Sequence, residues 1–349
     1  LLVNLSLDQA RALDQLETFV DQRRPPKQSF VLFGLAGTGK STCLAELTRR
    51  HPGRLSLCAY TGKAASVLRR RVDVPVSTLH SVLYDFRGLK DGEPIFTLKG
   101  ERLNDRVILV DECSMVSQRL ALDLLDTGAK VIAAGDPGQL PPVKDTAYFT
   151  QPDATLTEIH RQALESPIIR QAHSVRNQGR YAPDGDNFQV TSFAEPEVLL
   201  AADAILCWRN RSRRRLNTRK RALLGVTGPL CLGEPLMCLR NDHRLGIYNG
   251  ATYSVVSYDG RRLQLDDDGR LVEVELAAVE GFTRDYDRLR LDDDWLPFAL
   301  GYASTVHKAQ GSEWSNVLIF DECDRDWGAW MYTAITRAVD RCTVVRWRS

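Results

Sequence analysis

The stretch Ser29-Phe30-Val31-Leu32-Phe33-Gly34-Leu35-Ala36-Gly37-Thr38-Gly39-Lys40-Ser41 decides how the rest of the chain is read. A short apolar run of strand character ends at Gly34, and Gly34–Ser41 matches G-x-x-x-x-G-K-[ST] ahead of helix-like sequence. Glycines in such a turn let backbone N–H groups close around phosphate oxygens, and the helix N-terminus adds partial positive charge. Gly37, Thr38, Gly39, Lys40, Ser41 and Thr42 are therefore the expected nucleotide-binding residues. Lys40 is expected to reach the β- and γ-phosphates of ATP, and the Ser41 hydroxyl to ligate Mg²⁺.

Working outward, Ser6 suits the cap of a helix over 7–22, and further apolar runs follow at Leu55–Tyr60, Arg106–Val110 and Lys130–Ala134. Each precedes a helical pattern, which predicts an α/β fold whose parallel sheet is covered on both faces. Val107–Val110 delivers Asp111-Glu112 at its carboxyl end, where ligands of open α/β sheets bind. Asp111 is expected to hold Mg²⁺ through water, and Glu112 to activate the attacking water. After the strand at 130–134, Gly135-Asp136-Pro137-Gly138-Gln139 places Gln139 either near the γ-phosphate or in a proline-stiffened turn.

Composition excludes several classes. The 349 residues are 43% hydrophobic, 26% charged and 8% aromatic, which is globular usage, with neither a disordered bias nor a span of ~20 apolar residues. The formal charge is +1, so any nucleic-acid binding rests on local patches. Eight dispersed cysteines without a C-x-x-C pair, and no signal-like opening, point to reduced thiols and a cytoplasmic protein. Residues 86–101, FRGLKDGEPIFTLKGE, read as a small inserted β-hairpin turning at Asp91-Gly92. A second α/β region begins near 151, with a helix over 166–178, a strand at 204–207 and a helix over 210–224. Between 230 and 297 the pattern becomes alternating strands, and RLQLDDDGRLVEVEL is a half-buried meander. The division expected is a first domain over 1–150, a second over 151–229 and 298–349, and a β-rich insert over 230–297. The acidic runs at 266–268 and 292–294 lack calcium-loop spacing and read as turns, and Trp295 and Trp314 as packing residues.

GLAGTGKST, AYTGKAA, VDECSM, GDPGQLPPV, EIHRQ, TVHKAQGSEW and YTAITRA occur in that order, and together they resemble the superfamily 1 DNA helicases of the 5′→3′, RecD-like and Dda-like branch. The resemblance covers nearly the whole chain. It implies two RecA-like domains with parallel sheets, a hairpin insert in the first and an SH3-like barrel in the second. Magnesium ATP would be the cofactor, and single-stranded DNA with its junction to duplex the partner of an enzyme active as a monomer. Carried over by position, Gln9 resembles an adenine contact, Arg161 and Arg337 resemble arginines on the γ-phosphate, and Gly311 and Glu313 line the nucleotide. Tyr60, Thr61, Lys63, Thr78, His80, Asn210, Thr305 and His307 match segments that touch DNA, and Tyr60 suits base stacking or the core equally. Phe96 is either a pin at the strand junction or a packing residue of the hairpin. The run RNRSRRRLNTRKR (209–221), with eight basic residues in 13, reads as a DNA-facing edge or a solvated face. The implied activity is ATP-driven unwinding. The alternatives are a DNA-stimulated ATPase that does not separate strands and a nucleotide-gated DNA clamp.

Overall fold

The computed structural model describes residues 5–60, 64, 65, 68, 75–90, 93–142, 146–159, 165–242, 244–267, 269–283 and 295–346. Contacts divide the chain into two compact units, one of residues 1–85, 98–181 and 328–336, the other of 86–97, 182–327 and 337–349.

In the first unit, helix α1 (Leu7–Asp21) starts at a capping box in which Ser6 and Gln9 exchange side-chain-to-backbone hydrogen bonds. The strands along residues 29–156 are β1 (Ser29–Gly34), β2 (Leu55–Ala59) and β3 (Val76–Thr78); then β4 (Tyr84–Lys90) and β5 (Glu93–Leu98), which pair as a separate two-stranded sheet and group mostly with the second unit; then β6 (Val107–Asp111), β7 (Lys130–Gly135) and β8 (Ala154–Leu156). The main sheet has the order β3-β2-β6-β7-β1-β8, and every pairing in it is parallel. Side chains alternate across a strand, so Leu32, Leu57, Leu109 and Ile132 join one core with α1 and α2 (Lys40–Arg50). Their neighbours Val31, Phe33, Ile108, Val110 and Val131 join the opposite core with Leu120 and Leu124. Both faces are covered, as an all-parallel sheet requires. Short helices α3 (Leu79–Leu83) and α4 (Gln118–Asp126) and a longer one, α5 (Pro167–Gln178), complete this part.

The second unit holds β9 (Phe188–Thr191), α6 (Pro196–Ala201), β10 (Ala204–Cys207) and α7 (Asn210–Leu223). Next come β11 (Pro235–Cys238), β12 (Thr252–Tyr258), β13 (Leu263–Asp267), β14 (Arg270–Val274), β15 (Ala277–Val279) and β16 (Leu296–Leu300). The chain continues through β17 (Ala303–Thr305), α8 (Val306–Ala309), β18 (Trp314–Asp321), α9 (Trp327–Ile335), nearly all of which belongs to the first unit, and β19 (Ala338–Arg346). A parallel five-stranded sheet runs β17-β10-β18-β19-β9. A six-stranded sheet runs β14-β13-β12-β11-β16-β15, antiparallel except for β15 with β16. Its strands bury alternate residues, such as Tyr253 and Val255 against exposed Thr252 and Ser254. Among the described residues no helix is long and apolar enough to cross a membrane.

The contact division differs from the expected domain boundaries. The first unit runs on to 181 and takes residues 328–336, while 86–97 group with the second unit. The reason is visible in α5 and α9, whose side chains bond to loops of the first sheet: His173 to Ala36, Tyr332 to Ala36 and Asp136, and Thr333 to Leu140.

Candidate nucleotide site

The three motif strands β6, β7 and β1 are adjacent and parallel, so their carboxyl ends lie on one edge of the sheet. Gly34 and the phosphate loop follow β1, Asp111 ends β6, and Gly135-Asp136 leads from β7 to Gln139. Gly37 and Gly39 adopt φ of 84° and 80°, the left-handed region that only glycine enters freely. Gly39 caps α2, so the first N–H groups of Lys40 and Ser41 have no helical partner, the arrangement that suits an anion. The Lys40 ammonium turns back onto the loop, donating to the carbonyls of Gly34 at 2.6 Å and Leu35 at 3.2 Å.

Asp111 Oδ1 accepts the Glu112 N–H at 2.9 Å, and Glu112 stands at φ 55°. A non-glycine residue there is strained, and such strain clusters at working sites. Both carboxylates are half-buried. In the next turn Asp136 accepts the Gly138 N–H at 2.8 Å, and Gln139 Oε1 is buried without a hydrogen-bond partner in the structure. A buried, unsatisfied acceptor is costly unless something arrives to meet it. Gln9 is 1% exposed; its Oε1 accepts from Ser6 N–H and its Nε2 donates to Thr38 O at 3.3 Å, so it also braces the phosphate loop.

Arg337, Gly311 and Glu313 belong to the second unit. Arg337 is 4% exposed and donates from Nη1 to the Ser312 carbonyl at 3.3 Å; Gly311 turns at φ 73°, and Glu313 is exposed. Arg161, Thr61 and Lys63, and the side chain of Phe96, lie outside the described residues.

Of the DNA-facing expectations, Tyr60 packs at the edge of the first-unit core with its ring 6.0 Å from His80, which in turn lies 5.8 Å from Tyr84. Thr78 caps α3 by accepting the Ser81 N–H, and Thr305 stands at the cap of α8. His307 lies 5.4 Å from Trp208, and burial lowers its pKa, keeping the imidazole neutral near pH 7. Asn210 is exposed at the start of α7.

Most of the basic run is engaged internally. Arg209 pairs with Asp324, Arg213 and Arg214 with Glu280, and Arg221 with Glu234. Arg219 and Lys220 donate to the carbonyls of Ala194 and Ala202. The N-terminus of α7 is filled by Glu322, which accepts from Trp208 N–H, Arg209 N–H and the Ser212 hydroxyl. Glu280→Gln leaves the Arg213 guanidinium, 4% exposed, without its carboxylate. We expect a loss of about 3 kcal/mol in denaturant unfolding, the low end for a broken buried pair because Glu280 is partly exposed. A change under about 0.5 kcal/mol, the size usual for a surface substitution, would show the pair to be superficial. Sequence reading passed over Tyr332, Asp136 and His173. Tyr332 and Asp136 stand inside quoted motifs, but nothing local marks their pairing.

A phosphate loop, an acidic pair and a glutamine turn on adjacent parallel strand ends define a P-loop nucleotide-binding α/β protein. Residues 4–190 match the AAA domain family and residues 300–345 the UvrD-like helicase C-terminal domain. The chain belongs to this AAA domain family and is similar to helicases of RecD and Pif1 type. It is 32% identical to the ATP-dependent RecD2 DNA helicase of Deinococcus radiodurans, over 97% of this chain and 48% of that one, so it spans about half that relative's length. It is 25% identical to the ATP-dependent DNA helicase Pif1 of Bdellovibrio bacteriovorus, over 89% and 80% of the two chains. The fold resembles Bacteroides Pif1 bound to ssDNA, with a TM-score of 0.65 at 19% identity over 99% of this chain and 93% of that one.

Proposed function

We propose that this chain is an ATP-dependent DNA helicase that moves 5′→3′ on single-stranded DNA. The observation that carries the reading is the convergence of the phosphate loop, Asp111-Glu112 and Gln139 on one edge of three adjacent parallel strands. Lys40 and the loop N–H groups hold the phosphates of ATP, Glu112 takes a proton from the attacking water, and the unsatisfied Gln139 Oε1 receives that water. Among the described residues no cluster of three His, Cys, Asp or Glu could cage a metal. A Mg²⁺ ion would be held by Ser41, Asp111 and the phosphates, and would neutralise phosphate charge. By their resemblance in position, Arg161 and Arg337 are assigned to the γ-phosphate, where guanidinium charge would stabilise the transferring group, and Gly311 and Glu313 to the nucleotide.

DNA as the substrate follows from kinship with RecD2 and Pif1 helicases, one of which is bound to ssDNA in its crystal structure. In this reading both parallel sheets are RecA-like, and residues 230–297 form an SH3-like insert. Phe96 is assigned to the strand junction, and Tyr60, Thr61, Lys63, Thr78, His80, Asn210, Thr305 and His307 to the single strand. The test is ATP turnover with and without single-stranded DNA, beside unwinding of duplexes with a 5′ or a 3′ tail. Strong stimulation and unwinding from the 5′ tail are expected. Equal activity on a 3′ tail overturns the direction. Stimulation without strand separation reduces the protein to a translocating ATPase, and no turnover reduces it to a nucleotide-gated clamp.

A further inference from the structure

Ala36, third residue of the phosphate loop, is gripped from two sides by side chains that lie far away in sequence. Its N–H donates to the Tyr332 hydroxyl at 2.8 Å, and its carbonyl lies 3.1 Å from His173 Nε2. A carbonyl only accepts, so His173 carries its proton on Nε2. Tyr332 in turn donates to Asp136 Oδ2 at 2.6 Å, and Asp136 Oδ1 holds the Gly138 N–H of the Gln139 turn. One phenol thus joins the phosphate loop to that turn.

The surroundings leave this cluster little freedom. Tyr332 is 0% and Asp136 1% exposed, and burial, followed by the Asp136 charge, pushes the phenol pKa upward, so it remains a donor. At Gly138 a Cβ would meet Arg176 Nη1 at 2.5 Å and Tyr332 Cε1 at 2.9 Å, so only glycine lets the turn close on the ring. Packing alone would be served by phenylalanine at 332; the hydroxyl is what reaches Ala36.

The peptide bond is planar and trans, so a fixed Ala36 carbonyl aims the Gly37 N–H the opposite way, away from His173. Gly37 and Gly39 are otherwise the freest joints of the loop. We infer that Tyr332 and His173 are positioning residues: they hold the two Ala36 peptide groups so that the following N–H groups are preset for phosphate, and Tyr332 links that setting to the Gln139 turn through Asp136. The Ala36 N–H itself is committed to Tyr332 and serves no phosphate. This rests on the nucleotide-site reading above, because a preset loop matters only if phosphate binds there.

The experiment titrates N-methylanthraniloyl-ADP into wild type, Tyr332→Phe, His173→Leu and His173→Gln, beside thermal melting and steady-state ATP kinetics. Tyr332→Phe should weaken nucleotide affinity about tenfold, the equivalent of one hydrogen bond, and lower kcat as well. His173→Leu should raise KM more than it lowers kcat, and His173→Gln, which keeps an N–H donor, should recover part of the affinity. Affinities of Tyr332→Phe and His173→Leu within twofold of wild type overturn the inference, even with lowered melting temperatures, because the cluster is then only packing. If Tyr332→Phe does not fold, the two His173 variants decide. A wild-type protein that binds no nucleotide removes the site itself, an outcome distinct from these.

Discussion

Lys40→Ala is expected to lower ATP turnover by about 10²–10³-fold and to weaken nucleotide binding with it. The side chain has two tasks. At rest its ammonium donates to the Gly34 and Leu35 carbonyls, so the charge braces the loop it belongs to. In the proposed reading, nucleotide binding lets it exchange those carbonyls for phosphate oxygens, a stronger, charge-assisted partner. Alanine removes the brace and the phosphate contact together. Phosphate release and a titration with fluorescent ADP measure both. Turnover within tenfold of wild type would place the phosphates elsewhere.

Glu112→Gln separates chemistry from binding. The amide keeps the shape of the side chain and the strained backbone at φ 55°, while losing the carboxylate proposed to accept a proton from water. General-base losses run to about 10²–10⁴-fold in turnover, and nucleotide affinity is expected to stay within threefold. Single-turnover quenching of the bound nucleotide distinguishes slow chemistry from slow release. Equal loss of affinity and turnover would make Glu112 a phosphate- or metal-facing group instead of the base.

The parts legible in the sequence are those whose physics is local. Glycines at 37 and 39 and lysine at 40 state their role by spacing, and alternation in β1, β2, β6 and β7 announces a sheet covered on both faces. Ser6 as a cap is equally local. What escaped were pairings at long range. The basic run at 209–221 read as a DNA-facing edge or a solvated face, yet its partners Glu280, Glu234, Asp324 and the Ala202 carbonyl come from segments that only folding brings near. The same holds for Tyr332, 296 residues from Ala36. The contact units differ from the boundary expected at 150 for a related reason: chain order places α5 and α9 after the first sheet, whereas their side chains bond to its loops.

Residues 328–336 carry a further consequence, which concerns the order in which the protein is made. They complete a unit whose other segments end at 181, and the last segment of the second unit follows directly from 337. Chains leave the ribosome from the amino end, and domains ordinarily fold as they emerge. Here the first unit emerges with Asp136 lacking its phenol and the Leu140 N–H lacking the Thr333 hydroxyl, and it stays so while almost the whole second unit is synthesised. A nascent first unit is therefore an unfinished one, with the turn beside its phosphate loop left open, and neither unit reaches its final form much before the other.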